Sequence, residues 1–261
     1  MNGLKLIIKG AGLNLSSDMA YKWNFFINFI ATALKDAIGP LIILLIYSRT
    51  SGIPGWSFYE FLLFQGTLTF VFGFGHFLFV SIPANIIRNV RKGSFDQFML
   101  KPVNVLFYLT STSFDWDGFA EILVGMVLIA ISIIKLNLAV FSSNFLVYLM
   151  LVLLGILFQY ALMILIAAAS FVLVQSWALL DLAFKLTDFA RYPSTIYGFG
   201  LRFFLTFLFP ISISAFYPVE VLLKGANMMF VLQIAIPVIA FFFLSLYLWK
   251  KGLKKYSSAG G

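Results

Sequence analysis

The chain has 261 residues, 62% of them hydrophobic and only 11% charged, with a formal net charge of +8 and a mean hydropathy of +1.00. A soluble domain is nearer half apolar and a quarter charged, so a water-soluble fold is excluded; 18% aromatic residues exclude a disordered chain. Zero Cys and a single His also exclude disulfides, thiolate metal sites, Cys nucleophiles and histidine clusters. A helical membrane span needs roughly 20 apolar residues, so about six spans with short connections use up this length. The composition therefore predicts a polytopic, all-α membrane protein forming a single domain over 1–261, with no room for an extramembrane catalytic unit.

In chain order, residues 1–22 are too interrupted by Gly to span, and no small-residue cleavage site follows a short apolar core, so no cleaved leader is expected. Leu4, Leu6, Ile7, Ile8, Leu13 and Leu15 alternate with Lys5 and Lys9, which predicts an amphipathic helix lying on the membrane surface. The apolar runs then fall at 23–47, 58–83, 114–134, 145–174, 196–217 and 228–249, six transmembrane helices in all. The tail 257–261 is polar and carries no motif.

Six spans put both termini on one side, together with the loops at 84–104 and 175–195. Fourteen of the 18 Lys and Arg fall on that side and three (Arg49, Lys135, Lys224) on the other, which predicts cytoplasmic termini. The positive charge is thus a topology and anionic-lipid signal, and no nucleic-acid partner is expected.

Several ionisable residues need an account. Lys35 and Asp36 lie about 18 Å along the first run, where each costs about 2.5–3.5 kcal/mol unless it faces protein or water. Either they line a path or a subunit interface, or they neutralise local partners beside the Gly39-Pro40 bend. Asp115, Asp117 and Glu121 cluster at the start of the third run, with Asp117 and Glu121 on one helical face. A helix over 104–134 would reach about 46 Å, so this acidic end is expected at the interface beside the basic loop. Asp36, Asp117 and Glu121 are also the carboxylates a proton-coupled secondary transporter would use, and Arg202 is a further candidate for path or interface. His76 stands apart from any local carboxylate pattern and is expected to be a hydrogen-bonded packing residue.

Residues 181–191 read DLAFKLTDFAR, with Asp181–Lys185 and Asp188–Arg191 spaced for ion pairs on a short helix. Pro210 and Pro218 interrupt the fifth run, and 211–226 is expected to re-enter the bilayer from outside as a broken segment. No Gly is followed by Lys, so a phosphate-binding loop is absent and any ATP-driven role needs a second protein.

The loop 84–104 is basic at first, turns at Gly93, then carries Phe95, Phe98 and Met99 at i, i+3, i+4 before Lys101-Pro102. This predicts a short helix whose apolar edge docks in a partner's groove. The string Val-Arg-Lys-Gly-x-x-Asp-x-x-x-Leu-Lys-Pro-x-Asn over 90–104 resembles the signature of type-2 ABC transporter permeases, in the branch of daunorubicin- and viologen-type exporters. The resemblance continues in Phe114-Asp115-Trp116-Asp117-Gly118, Ala190-Arg191-Tyr192-Pro193-x-x-Ile196-Tyr197, Leu205-Thr206-x-x-x-Pro210 and Tyr217-Pro218.

The resemblance implies a non-enzymatic membrane subunit in a prokaryotic cell membrane. It would work beside a second permease, identical or related, and two separate ABC ATPase subunits that bind the ATP and Mg. By the same resemblance Arg91, Lys92, Gly93, Phe95, Asp96, Phe98, Met99, Lys101 and Pro102 form a coupling helix. The N-terminal helix becomes an interface helix, and Pro210, Tyr217 and Pro218 belong to an extracellular gate. The path is expected between the first, second and fifth spans of the two subunits.

Overall fold

The computed structural model describes residues 3–50, 52–173 and 176–256; the tail 257–261 lies outside them. The described residues are helical and joined by short turns, as composition requires of a chain whose backbone must satisfy itself in lipid. In order they form α1 (Gly3–Met19), α2 (Lys22–Arg49), α3 (Phe58–Phe79), α4 (Ser81–Arg91), α5 (Asp96–Met99), α6 (Val105–Thr112), α7 (Asp117–Lys135) and α8 (Ser143–Ala169). Then follow α9 (Ser176–Thr187), α10 (Phe199–Phe203), α11 (Phe216–Lys224) and α12 (Met228–Lys255). Among the described residues, five stretches are long and apolar enough to cross a bilayer: α2, α3 with α4, α7, α8 and α12. A shorter apolar helix covers Phe199–Leu208.

Local chemistry sets the helix starts. Ser57 and Glu60 close a reciprocal capping box on α3, and Asn104, Ser142 and Asn227 each accept a backbone N–H at the starts of α6, α8 and α12. α3 and α7 pack most closely. Gly66 and Gly73 on α3 face Gly118 and Gly125 on α7, seven residues apart in each helix. A Cβ on Gly73 would come within 2.7 Å of the Ile122 nitrogen, and one on Gly125 within 2.5 Å of the Phe70 nitrogen. Small residues here let two backbones approach as no larger side chain would.

α8 is the hub, contacting α3, α4, α9, α11 and α12. Phe158 packs on Phe241 of α12 at 5.2 Å, and Gly252 of α12 lies against the Ala168 carbonyl. α2 is the opposite case. Of its 28 residues only Ile43 is buried, and Ile27, Ile30, Leu34, Leu41 and Leu45 are exposed. α1 lies along α6, where Asn14 donates to the Thr112 carbonyl at 2.7 Å, while Leu4, Ile8 and Leu13 stay exposed. Residues 3–19 are thus helical, with apolar side chains left uncovered on more than one side. α1, α5 and the end of α12 gather at one end of the molecule, called basal below; α3 and α12 begin at the other, distal, end.

Two expectations are corrected. The helix over 104–134 is not continuous: it breaks at 113–116, where the Asp115 N–H donates to the Phe77 carbonyl and Trp116 packs on Phe77. The fifth run, 196–217, is not a single span either. The climb from the basal end is made earlier, by α9 and the 3-10 turn Asp188–Arg191, and Gln65 near the distal end of α3 donates to the Arg191 carbonyl at 2.8 Å. From 199 the chain turns inward. The π-helical turn Phe204–Leu208 ends at Phe209, packed on Phe158 in the middle of α8; the 3-10 turn Ile211–Ser214 follows, beside Gly155. α11 then returns to the distal end, where Gly225 (φ +74°) closes it beside Asn144. Pro210 has no N–H to continue a helix, whereas Pro218 sits in the first turn of α11, where none is needed. The segment 211–226 is therefore the returning limb of a hairpin packed against α8.

The charge count shifts accordingly. Lys185 and Arg191 lie among the helices, and Arg202 lies over the distal Phe216 ring at 5.7 Å. The other eleven basic residues assigned to that side remain basal, so the asymmetry survives.

Candidate functional site

At the basal end the chain forms a knuckle. α4 is capped by Lys92, Gly93 takes φ +64°, and α5 supplies a single turn before Lys101-Pro102. Asn89 holds this turn: its side-chain oxygen accepts from Ser94 at 2.9 Å and from Gln97 at 3.3 Å. Phe95 has 0% exposure, clamped on Phe171 at 5.0 Å, Tyr256 at 5.1 Å and Phe98 at 5.6 Å. A side chain with no free surface cannot dock on a second protein, so the expected contact role of Phe95 is corrected to that of an anchor. Phe98 is half-buried against Tyr108, and Asp96 is likewise partly covered. Met99, Leu100, Arg91, Lys92, Lys101 and Pro102 are exposed. Leu100, missed from the sequence because it lies off the i, i+3, i+4 edge, is the most exposed of the apolar group at 84%.

The ionisable residues of the spans converge elsewhere. His76 Nδ1 and Glu121 Oε1 are 2.9 Å apart, and His76 Nε2 lies 3.6 Å from Asp115 Oδ2. Lys35 of α2 reaches the same Glu121 oxygen at 3.9 Å. Glu121 is buried, so it pairs with residues of α2 and α3, not with the basic loop expected to neutralise it. Asp117 faces away, into a small polar recess with Asp18, Asn28 and Asp115. Outside the spans, burial by itself would raise the Asp115 carboxyl, but the hydrogen bond and charge of His76 hold it below the ordinary value. Asp18 is pushed up, by burial first and then by Asp115 and Asp117.

Lys35, Asp36, His76 and Glu121 line one wall of a cavity of about 580 Å³. α9 and the 3-10 turn after it add Asp181 paired with Lys185 and Asp188 paired with Arg191, both at 2.8 Å. These pairs have the spacing read from the sequence, and they lie exposed along the edge of the cavity. Gln65 and Gln159 complete its polar lining, and neither was singled out beforehand because an isolated Gln in an apolar run carries no local signal. At the distal end Thr206 and Tyr217 share a hydrogen bond at 2.8 Å, tying the two limbs of the hairpin, while Pro210 and Tyr217 are buried. Pro218 is buried beside them.

A family model described as ABC-2 family transporter protein matches residues 36–260. The chain belongs to that family. It is accordingly a permease component of a transporter, and the match runs through the knuckle, the cavity and the hairpin. No curated protein matches the sequence.

Proposed function

We propose that this ABC-2 permease is the membrane half of an ATP-driven exporter, working as a pair of permeases above two ABC ATPase subunits that carry the ATP and Mg. The observation that carries the reading is the basal knuckle. A rigid, Phe95-anchored turn offers Met99 and Leu100 outward between Arg91, Lys92 and Lys101, the form of a lever pressed into a groove. Eleven basic residues at the same end support a cytoplasmic position for it, with both termini on that side.

The nearly unburied α2 supports a second permease, identical or related, as its partner, since an exposed helix gains packing only from lipid or from another subunit. The path then runs beside α2, α3 and α9, and the Pro210–Pro218 hairpin closes its distal end. ATP does work here only through its tighter binding to the closed ATPase pair, which moves the knuckle relative to the spans.

The test is co-expression with the ATPase followed by reconstitution. Solute should be extruded only with hydrolysable ATP, and Met99→Ser with Leu100→Ser should abolish ATPase capture while the permease still folds. Uphill transport by the chain alone, driven by a proton gradient, would replace this reading with the carboxylate-based one, in which Asp36 and Glu121 line the cavity as the relay.

A further inference from the structure

We infer that the cavity between α2, α3, α7, α8 and α9 is a binding site for a protonated amine that also carries a hydrogen-bond acceptor and an apolar body. The inference rests on the permease reading and names the ligand chemistry that reading leaves open.

The charge arrangement selects a cation. Asp181 is matched by Lys185, Asp188 by Arg191, and Glu121 by His76 and Lys35. Asp36 remains. Its Oδ2 is enclosed and has no hydrogen-bond partner among the described residues. The cavity lining thus holds four carboxylates beside Lys35, Lys185, Arg191 and the His76 ring, and of the four only Asp36 has an enclosed oxygen with no hydrogen-bond partner among the described residues. A carboxylate oxygen enclosed without a hydrogen bond is costly, and a ligand N⁺–H supplies the donor that the described residues do not.

A second, independent group points the same way. Gln159 is 4% exposed, lines the cavity from α8, and its Nε2 donates to nothing among the described residues. Donor and acceptor thus stand unused on two different walls, one for an ammonium and one for a hydroxyl, carbonyl or phosphate oxygen. Between them Leu68, Phe72, Met163 and Phe184 provide the apolar surface. The volume, about 580 Å³, is that of a small-molecule site. The amine could belong to a free amphiphile or to a lipid headgroup, since both present the same chemistry.

The test uses the full chain, with its ATPase partner bound, in nanodiscs of phosphatidylglycerol. Dansylcadaverine, its neutral N-acetyl derivative and a dansyl-aminocaproate are titrated by fluorescence anisotropy. The amine should bind at least tenfold more tightly than the other two. Asp36→Asn should remove that preference, Asp36→Glu should retain it, and Gln159→Leu should weaken amine binding severalfold. Adding phosphatidylethanolamine should displace the probe if the natural occupant is a headgroup and leave it bound if it is a free solute; either result upholds the site. Equal binding of the amine and its acetyl derivative by the wild-type complex, or a preference for the carboxylate, overturns the inference without any variant having to fold. Failure of the ATPase to co-purify would instead strike the permease reading, so the two failures are separable.

Discussion

Replacing Phe95 by Ala separates the anchor of the knuckle from its exposed tip. Phe95 is wholly enclosed and meets three aromatic rings at 5.0–5.6 Å. Emptying such a site costs about 3–5 kcal/mol, the lost ring pairs included. For a chain of this length that is a fall in melting temperature on the order of 10 °C. Leu100 gives the contrast. Only about a sixth of its surface is covered, so truncation removes about 0.2–0.5 kcal/mol of burial. The assay is the thermal unfolding of the detergent-solubilised permease, paired with ATPase capture on the same preparations. Phe95→Ala should lose stability first and capture as a consequence, and a cavity-filling Phe95→Leu should recover much of both. Leu100→Ala should keep its melting temperature and lose capture. If Phe95→Ala melts with the wild type, or Leu100→Ala falls as far, the division between anchor and tip is wrong.

Other outcomes follow from the same packing and charges. Gly125→Leu should abolish monodisperse protein in size-exclusion profiles, because its side chain would occupy the Phe70 backbone, whereas Gly12→Ala, with open space around it, should leave the profile unchanged. Glu121→Ala should destabilise by about 1.5–3 kcal/mol through the lost His76 contact, while Lys35→Ala, at 3.9 Å and largely exposed, should move the melting temperature by less than about 1 kcal/mol equivalent. Asp115 is held low in the fold, so its stabilising contribution is present above the ordinary carboxylate value near 3.9 and is lost as pH falls toward its folded value; Asp115→Asn should flatten that acid limb of melting temperature against pH. Asp18 is held high, so its favourable contribution is present at low pH and lost as pH rises through its folded value. Asp18→Asn should therefore raise the melting temperature at neutral pH.

The sequence by itself determined the membrane class, five of the six spans it drew, the helix α1, the Gly93 turn with its single helical turn, and the spacing of the ion pairs over 181–191. These follow from hydropathy, chain geometry and near-neighbour chemistry, which act over a few residues. The tertiary structure alone decided how the chain runs between α8 and α12. Hydropathy drew 196–217 as one run, yet its backbone breaks at Phe209-Pro210 and folds back as a hairpin on α8, while 176–191 carries its charges in exposed pairs. It also decided that Phe95 points inward and that His76, isolated in sequence, meets Asp115 and Glu121 from 39 and 45 residues away. Whether a side chain is buried or paired depends on what another helix brings to it, and that packing is not encoded in any local window.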